Sequence, residues 1–253
     1  MKSQFFMIYI NYFYLYLMLE KSVIMKSNVK PCNCIECENV CDFFKRLSLP
    51  ELHLINDAKI AVKYKKGEVI LKKGIYSPYV LLISSGYVKI IIETDIEKRF
   101  ILEILGTHNF IATNIFSDFI SKSTVVALSE VVVCYLNVQI FMDILEANGR
   151  FATDVLRYMN THGGIRFNRL SSISLKQSRG KMADVLLYIN SFSPKKSINR
   201  YLSRKDLAEM ANISTENAIR TLKEFENENV ILIDKKEIEI LDLDLLKKIS
   251  QKG

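Results

Sequence analysis

Short apolar runs that end in glycine turns dominate the first half of the chain. Between residues 44 and 140 the sequence contains EVILKKG, YVLLISSG, YVKIIIETD and RFILEILG, all rich in β-branched residues. Runs of this kind, closed by Gly74, Gly86 and Gly106, are typical of strands joined by tight turns. Two more predicted strands follow in STVVALSEVVVCYLN, and the second contains Cys134. Many short strands at regular spacing predict a β-roll or barrel.

The pattern changes to helical spacing after Val138. The segment QIFMDILEANGRFATDVLRYMNTHGGIRFNRLSSIS predicts a long helix. The apolar residues that fall on one face of it are Leu156, Met159, Phe167, Leu170 and Ile173. Such a face predicts the seam of a homodimer, with packing against the β-domain as the alternative. Residues 155–183 carry basic residues and no acidic one, so we expect their charges to face solvent or an anionic partner.

The segment YLSRKDLAEMANISTENAIRTLKEFENENVI predicts two helices joined by a tight turn. Ser203, three residues before Asp206, forms a start similar to a capping box, and Asn212 tolerates left-handed backbone angles in the turn. The second helix begins near Ser214 or Thr215. The predicted core where the helices cross consists of Ala208, Ile213, Ala218, Leu222 and Phe225. This is a helix-turn-helix arrangement, in which the second helix enters the major groove of DNA.

The order of β-roll, long helix and helix-turn-helix resembles the Crp/Fnr family of bacterial transcription regulators over about residues 40–248. The segments KKGEVILKKG, LLISSGYVKI and LSRKDLAEMANISTENAIRTLKEF carry the resemblance. It implies an α+β fold with a cyclic-nucleotide-binding-like β-roll, a dimerisation helix and a winged helix-turn-helix. The expected boundaries are 25–145 for the cysteine cluster and sensory domain, 146–178 for the dimerisation helix and 179–253 for the DNA-binding domain. The resemblance also implies a cytoplasmic homodimer that is not an enzyme, binds a pseudo-palindromic operator in double-stranded DNA and contacts RNA polymerase.

The recognition helix of this family carries a Glu and, four residues later, an Arg, which here are Glu216 and Arg220. Residues i and i+4 share one helix face, so both side chains can enter one groove. Arg donates to guanine O6 and N7, and Glu accepts from a cytosine amino group. An exposed ion pair within the helix is the alternative. Other residues are predicted to contact phosphates, and such contacts position the protein on DNA rather than read its sequence. They are Ser203, Lys205, Ser214, Thr215, Asn217, Lys235 and Lys236. The two lysines lie at the tip of a predicted hairpin.

The cyclic-nucleotide-binding branch of the family resembles this chain less well in its ligand site. That branch has Gly-Glu-Leu, whose Glu binds the ribose, and later Arg-Ser, whose Arg binds the cyclic phosphate. At the matching places this chain has Ala112 and Thr113, and then Lys122 and Ser123. A lysine cannot reproduce the bidentate clamp of an arginine. We therefore do not expect cyclic AMP to bind.

Four of the five cysteines lie together in PCNCIECENVC, as Cys32, Cys34, Cys37 and Cys41, and the fifth is Cys134. An odd number of cysteines without a paired framework favours a reducing compartment. The Fnr branch is similar, since it uses an N-terminal cysteine cluster and one distant cysteine to hold a 4Fe–4S cluster. The resemblance implies Cys34, Cys37, Cys41 and Cys134 as ligands, with Cys32 spare. Zinc, which also takes four thiolates, and thiols without any metal are the alternatives.

The N-terminal run FFMIYINYFYLYLML is apolar and rich in tyrosine, but it is shorter than the roughly 20 residues of a membrane-spanning helix. The following EKSVIMKSNVK contains no small-residue cleavage site of a signal peptide. From Met25 the sequence reads as an ordinary cytosolic start. We therefore expect residues 1–24 to lie outside the folded protein, with a weak membrane anchor as the alternative.

Charge and histidine content bear on the class of function. The net charge of +7 is compatible with a polyanionic partner without requiring one. The three histidines, His53, His108 and His162, are scattered along the chain without evident partners. We therefore expect structural roles for them and no acid–base or nucleophile constellation.

Overall fold

The computed structural model describes residues 35, 44, 46–94, 99–112, 115–192, 198–235 and 237–253. The predicted extension, residues 1–24, and the four clustered cysteines Cys32, Cys34, Cys37 and Cys41 lie outside the described residues.

In the described part of this half of the chain, eight short strands form two four-stranded antiparallel sheets. In chain order the strands are β1 (Ile60–Tyr64), β2 (Val69–Leu71), β3 (Tyr79–Ser85), β4 (Tyr87–Glu93), β5 (Arg99–Gly106), β6 (Phe110–Ile111), β7 (Thr124–Ala127) and β8 (Val131–Asn137). The first sheet has the order β1-β8-β3-β6 and the second has the order β2-β7-β4-β5. The predicted β-roll is therefore confirmed.

Apolar side chains fill the space between the two sheets. The buried residues of this layer include Val62, Leu81, Ile83, Val88, Ile90, Val125, Val131 and Val133. The turn between β3 and β4 requires glycine, because Gly86 has φ +80° and a Cβ there would lie 2.2 Å from the carbonyl oxygen of Glu130. This close approach holds β4 against the loop that precedes β8.

Three helices cover the outer face of the first sheet. They are α1 (Leu49–Ala58), α2 (Val138–Ala147) and the N-terminal part of the long α3 (Gly149–Leu175). Asn148 separates α2 from α3, and its side-chain oxygen accepts a hydrogen bond from the N–H of Phe151. The buried cluster beneath these helices includes Phe44, Leu47, Ile55, Leu82, Cys134, Phe141, Phe151 and Val155.

The C-terminal part of the chain packs against the outer face of the second sheet. Its elements are α4 (Ser178–Asn190), a short 3-10 turn (Ile198–Tyr201), α5 (Arg204–Ala211), α6 (Thr215–Asn227), the hairpin strands β9 (Ile231–Asp234) and β10 (Glu237–Ile240), and α7 (Leu243–Lys252). One buried cluster joins Ile101 and Ile104 of β5 to Leu207 and Met210 of α5. In the described part of the chain no helix combines the length and the hydrophobicity needed to cross a membrane.

Candidate nucleic-acid interface

Helices α5 and α6 form the predicted helix-turn-helix. Ser203 is the N-cap of α5: its Oγ accepts from the Asp206 N–H, and the Asp206 carboxylate accepts from the Ser203 N–H at 2.8 Å. Asn212 ends α5 in the left-handed conformation, with φ +51°. Ser214 is the N-cap of α6 and accepts from the N–H of Asn217. The capping box, the turn residue and the start of the second helix are thus as predicted.

The core between these helices contains the predicted residues. Ala208, Ala218, Leu222 and Phe225 are buried, and Ile213 is partly buried against them. Small residues on both helices allow the close crossing, and Phe225 fills the space beyond it. This packing leaves the opposite face of α6 exposed to solvent.

The two predicted base-reading residues lie on that exposed face. Glu216 is exposed, and the side chain of Arg220 is 73% exposed. Arg220 turns toward Asn217, whose Oδ1 accepts from its Nη2 at 2.8 Å, and its Nε lies 3.9 Å from a carboxylate oxygen of Glu224. The guanidinium is thus oriented by neighbours on its own helix rather than by Glu216. Ile219, also exposed, lies beside Arg220 on the same face.

The predicted phosphate contacts surround this face. Ser203, Lys205, Ser214 and Thr215 are exposed near the N-termini of α5 and α6, and Asn217 is partly buried. Lys235 is exposed at the tip of the β9–β10 hairpin with φ +52°, and Lys236 lies outside the described residues. A recognition helix flanked by a hairpin with a basic tip is the arrangement of a winged helix-turn-helix.

Two ion pairs that the sequence did not reveal join α5 to the β-roll. Lys89 Nζ of β4 lies 2.5 Å from Asp206 Oδ1, and Arg99 Nε of β5 lies 2.9 Å from Glu209 Oε1. Burial raises the pKa of Asp206, but hydrogen bonds from Lys89 and Ser203 outweigh burial and hold the pKa below its ordinary value. One carboxylate therefore caps the first helix of the helix-turn-helix and also pairs that helix with the β-roll.

Two basic side chains of α3 do not face solvent or an anionic partner as the sequence predicted. Arg166 Nε donates to the buried carboxylate of Glu103 at 2.8 Å, and His162 Nδ1 contacts the same carboxylate. The buried Arg169 donates to the carbonyl oxygens of Ile101 and Met210. For Arg166 and Arg169 the prediction was wrong, because their partners lie on β5 and α5, far away in sequence. Arg157 does face solvent, with its side chain 72% exposed. His162 has a partner in Glu103, which the sequence did not reveal.

The positions that would hold a cyclic nucleotide carry other contacts. Lys122 Nζ lies 2.7 Å from Asp118 Oδ2 at the surface, and its side chain is mostly exposed. Ser123 is buried and its carbonyl accepts from the Ser121 hydroxyl. Ala112 is partly buried, and Thr113 lies outside the described residues.

Cys134 lies in the middle of β8, where it faces Ala61 of β1 and Leu82 of β3 in register. Its side chain is 3% exposed and belongs to the same buried cluster as Phe44 and Leu47. The described residues contain no group of three or more His, Cys, Asp or Glu side chains that could hold a metal ion. Any metal at Cys134 must therefore take most of its ligands from residues outside the described part of the chain.

Two family models match the chain in the order of its domains. A cyclic nucleotide-binding domain matches residues 61–148, and a Crp-like helix-turn-helix domain matches residues 180–249, together more than half of the chain. The fold and these matches define a regulator with a cyclic-nucleotide-binding-like β-roll and a DNA-binding domain in one chain. The chain belongs to the Crp/Fnr family of DNA-binding transcription regulators, which act as dimers and are not enzymes.

Solved structures of similar regulators share the fold. A putative Crp/Fnr family regulator from Eubacterium rectale is 21% identical, with 85% of this chain and 100% of that chain covered and a TM-score of 0.67. FixK2 from Bradyrhizobium japonicum is 13% identical over 76% of this chain and 96% of that one, with a TM-score of 0.69. A CooA variant from Carboxydothermus hydrogenoformans is 15% identical over 88% and 96%, with a TM-score of 0.68. A comparison with curated protein sequences found no match.

Proposed function

We propose that this regulator senses oxygen or redox state in the cytoplasm through a 4Fe–4S cluster held by Cys34, Cys37, Cys41 and Cys134. The observation that supports the proposal is the position of Cys134. It is buried in one apolar cluster with Phe44 and Leu47, which come shortly after the cysteine run in sequence. Phe44 comes three residues after Cys41, and three residues span at most about 11 Å. The cysteine run is therefore joined by a short stretch of sequence to a residue of the buried cluster that contains Cys134.

The chemistry of Cys134 fits a ligand role. A thiol in apolar surroundings resists ionisation, whereas a bound metal favours the thiolate. A 4Fe–4S cluster takes four thiolates, of which Cys134 supplies one and the cysteine run can supply three. Oxygen attack on such a cluster is the chemistry that would make the protein responsive.

The surroundings of Cys134 connect it to α3, the predicted dimerisation helix. The buried cluster that contains Cys134 also contains Phe141 of α2 and Phe151 and Val155 of α3. Cores of this kind are close-packed, so a change beside Cys134 displaces its neighbours. The start of α3 would therefore respond to ligand gain or loss at Cys134, and the family pattern implies that the liganded state favours the DNA-binding dimer.

Protein purified without oxygen tests this proposal. We expect a brown protein with about four irons per subunit, because a 4Fe–4S cluster takes four thiolates, and we expect the colour to bleach in air as oxygen attacks the cluster. Iron and zinc are measured by elemental analysis, and the cluster by its visible absorption. Colourless anaerobic protein, with stoichiometric zinc or no metal, would end the iron–sulfur proposal and leave the family assignment unchanged.

A second candidate is a regulator that binds no metal and responds to a small molecule or is constitutively active. It is favoured by the match of residues 61–148 to the cyclic nucleotide-binding domain. The surface position of Lys122, paired with Asp118, argues against a cyclic phosphate in the usual place. Colourless protein that binds its operator equally well with and without oxygen would favour this candidate.

We further propose that Glu216 and Arg220 read base edges on a pseudo-palindromic operator and that the bound dimer contacts RNA polymerase. The exposed face of α6 supports base reading, because both side chains project from it near the helix N-terminus. The Arg220 guanidinium has five N–H donors, so its bond to Asn217 leaves donors for a bidentate pair with guanine.

The Arg220→Ala variant tests base reading. We expect it to cost roughly 1–3 kcal/mol on the operator and to relax discrimination at one base pair, because one bidentate contact is lost. Lys235→Ala, the comparison variant, should weaken binding to all sequences about equally and lower the salt slope by about one unit. Binding is measured by fluorescence anisotropy at several salt concentrations. If Arg220→Ala lost the same affinity for operator and random DNA, Arg220 would be a phosphate contact.

A further inference from the structure

We propose that Ser178, the first residue of α4, is a positioning residue for base recognition and acts through Asn217 on Arg220. The inference rests on the proposed base-reading role of Arg220 and adds to it a residue outside the helix-turn-helix. Ser178 lies 39 positions before Asn217 in sequence, so no helical spacing connects them.

Two hydrogen bonds link the three side chains. Asn217 Nδ2 donates to Ser178 Oγ at 2.7 Å, and Arg220 Nη2 donates to Asn217 Oδ1 at 2.8 Å. Both distances are those of well-formed hydrogen bonds. The side chain of Asn217 therefore bridges α4 and the guanidinium of the recognition helix.

The chemistry of the three groups fixes the direction of the bridge. A guanidinium only donates, so the amide oxygen of Asn217 has to face Arg220. The amide nitrogen of Asn217 then has to face Ser178, whose hydroxyl oxygen accepts. A flipped amide would place N–H groups against the guanidinium and lose one bond. The guanidinium thus sets the orientation of the Asn217 amide, and the Ser178 hydroxyl accepts from the amide nitrogen and holds that side chain in place beside Arg220.

Arg220 benefits from such an anchor because its side chain is 73% exposed. A long, exposed side chain loses rotamer freedom when it binds a base, and a side chain that is already ordered loses less. The bond to Asn217 uses one of five N–H donors, so Arg220 can keep it while it pairs with a guanine. Pre-organisation of this kind raises affinity for the correct base pair and leaves sequence-independent phosphate contacts unchanged.

The hydroxyl of Ser178 can be removed without dismantling the packing of α4 on α6. Gln177, not Ser178, is the N-cap residue of α4. The neighbouring Arg179 holds the two helices together, since it forms two bonds to the Glu228 carboxylate and lies over the ring of Phe225. The effect of a Ser178 substitution should therefore pass mainly through Asn217.

The test compares binding to an operator selected from random duplexes with binding to random DNA. Ser178→Ala should lower the ratio of operator to random affinity roughly fivefold, the worth of one ordinary hydrogen bond, with the salt slope unchanged. Ser178→Thr, which keeps the hydroxyl, should restore most of that ratio. The double variant Ser178→Ala/Arg220→Ala should lose no more than Arg220→Ala alone, because the two residues act in series.

The outcomes separate this inference from base reading itself. If Arg220→Ala reduces discrimination and Ser178→Ala does not, the positioning role is wrong and base reading stands. Additive losses in the double variant, or equal losses on operator and random DNA with Ser178→Ala, would also overturn the positioning role. If Arg220→Ala leaves discrimination unchanged, base reading itself fails. Circular dichroism and melting temperature of each variant show whether its fold is intact.

Discussion

The Leu170→Asp variant is expected to sediment as a monomer and to lose operator affinity by roughly 10²–10⁴-fold. Leu170 is 45% exposed on α3, on the apolar face shared with Leu156, Met159 and Phe167. A face of this kind, exposed on one chain, is what a two-fold seam between two α3 helices would bury. A carboxylate in each copy would be buried against apolar surface, which costs desolvation energy, and would also repel the same carboxylate of the other copy. A monomer contacts one half-site and loses the avidity of the second.

The matched control for this variant is Leu54→Asp. Leu54 is 57% exposed on α1, so the same change is made at a similarly exposed leucine away from α3. Analytical ultracentrifugation should show a dimer for Leu54→Asp and a monomer for Leu170→Asp. A dimer in both cases would place the seam on another surface. A monomer in both would show that the loss of the dimer is not specific to α3.

The local features of the fold could be predicted from the sequence because short-range interactions determine them. The capping box at Ser203, the left-handed Asn212 and the N-cap Ser214 each depend on residues within a few positions. The glycine turn at Gly86 is of the same kind, since the backbone angle itself excludes other residues. The order of strands and helices followed from these local patterns.

The contacts between domains could not be predicted, because they join residues far apart in sequence. Lys89 and Asp206 are separated by 117 positions, and Arg166 and Glu103 by 63. The sequence shows charged residues in both places without showing which pairs will meet, and most charges of this type remain in solvent. At the proposed base-reading site, the positions of Glu216 and Arg220 on one helix could be predicted from their spacing. The hydrogen bond from Arg220 to Asn217 could not, because it depends on side-chain geometry that the spacing does not fix.

The cysteine variants are expected to divide into two groups by their iron content. Cys134→Ser and Cys41→Ser should both yield colourless anaerobic protein, because the loss of either proposed ligand leaves one iron of the cluster without its thiolate. Cys32→Ser should retain colour and about four irons per subunit, since Cys32 is not among the four proposed ligands. Iron content and absorption spectra of proteins purified in parallel without oxygen measure the difference.

Burial of Cys134 requires a second variant at that position. A serine hydroxyl placed in the apolar cluster with Phe44 and Phe151 costs about 1–3 kcal/mol if it finds no partner, so Cys134→Ser can lose iron through misfolding. Cys134→Ala avoids that cost and removes only the thiol. Colourless Cys134→Ala with an unchanged circular dichroism spectrum would identify the thiol itself as the ligand. Iron retained at wild-type levels in Cys134→Ala would exclude Cys134 from the ligand set.

The same variants connect the sensor to DNA binding. We propose that the buried residues around Cys134 transmit the loss of the metal to the start of α3. The dimer fraction and the operator affinity of the variants should then fall together with their iron content. Cys32→Ser should keep both the dimer and the operator affinity. Arg220→Ala provides the opposite case, with full iron and impaired operator binding, since Arg220 lies on α6 and not in that cluster. If the iron-free variants bound the operator as tightly as the wild type, the metal would have no role in regulation. A ligand shifts the equilibrium between two states only if it binds one of them more tightly than the other.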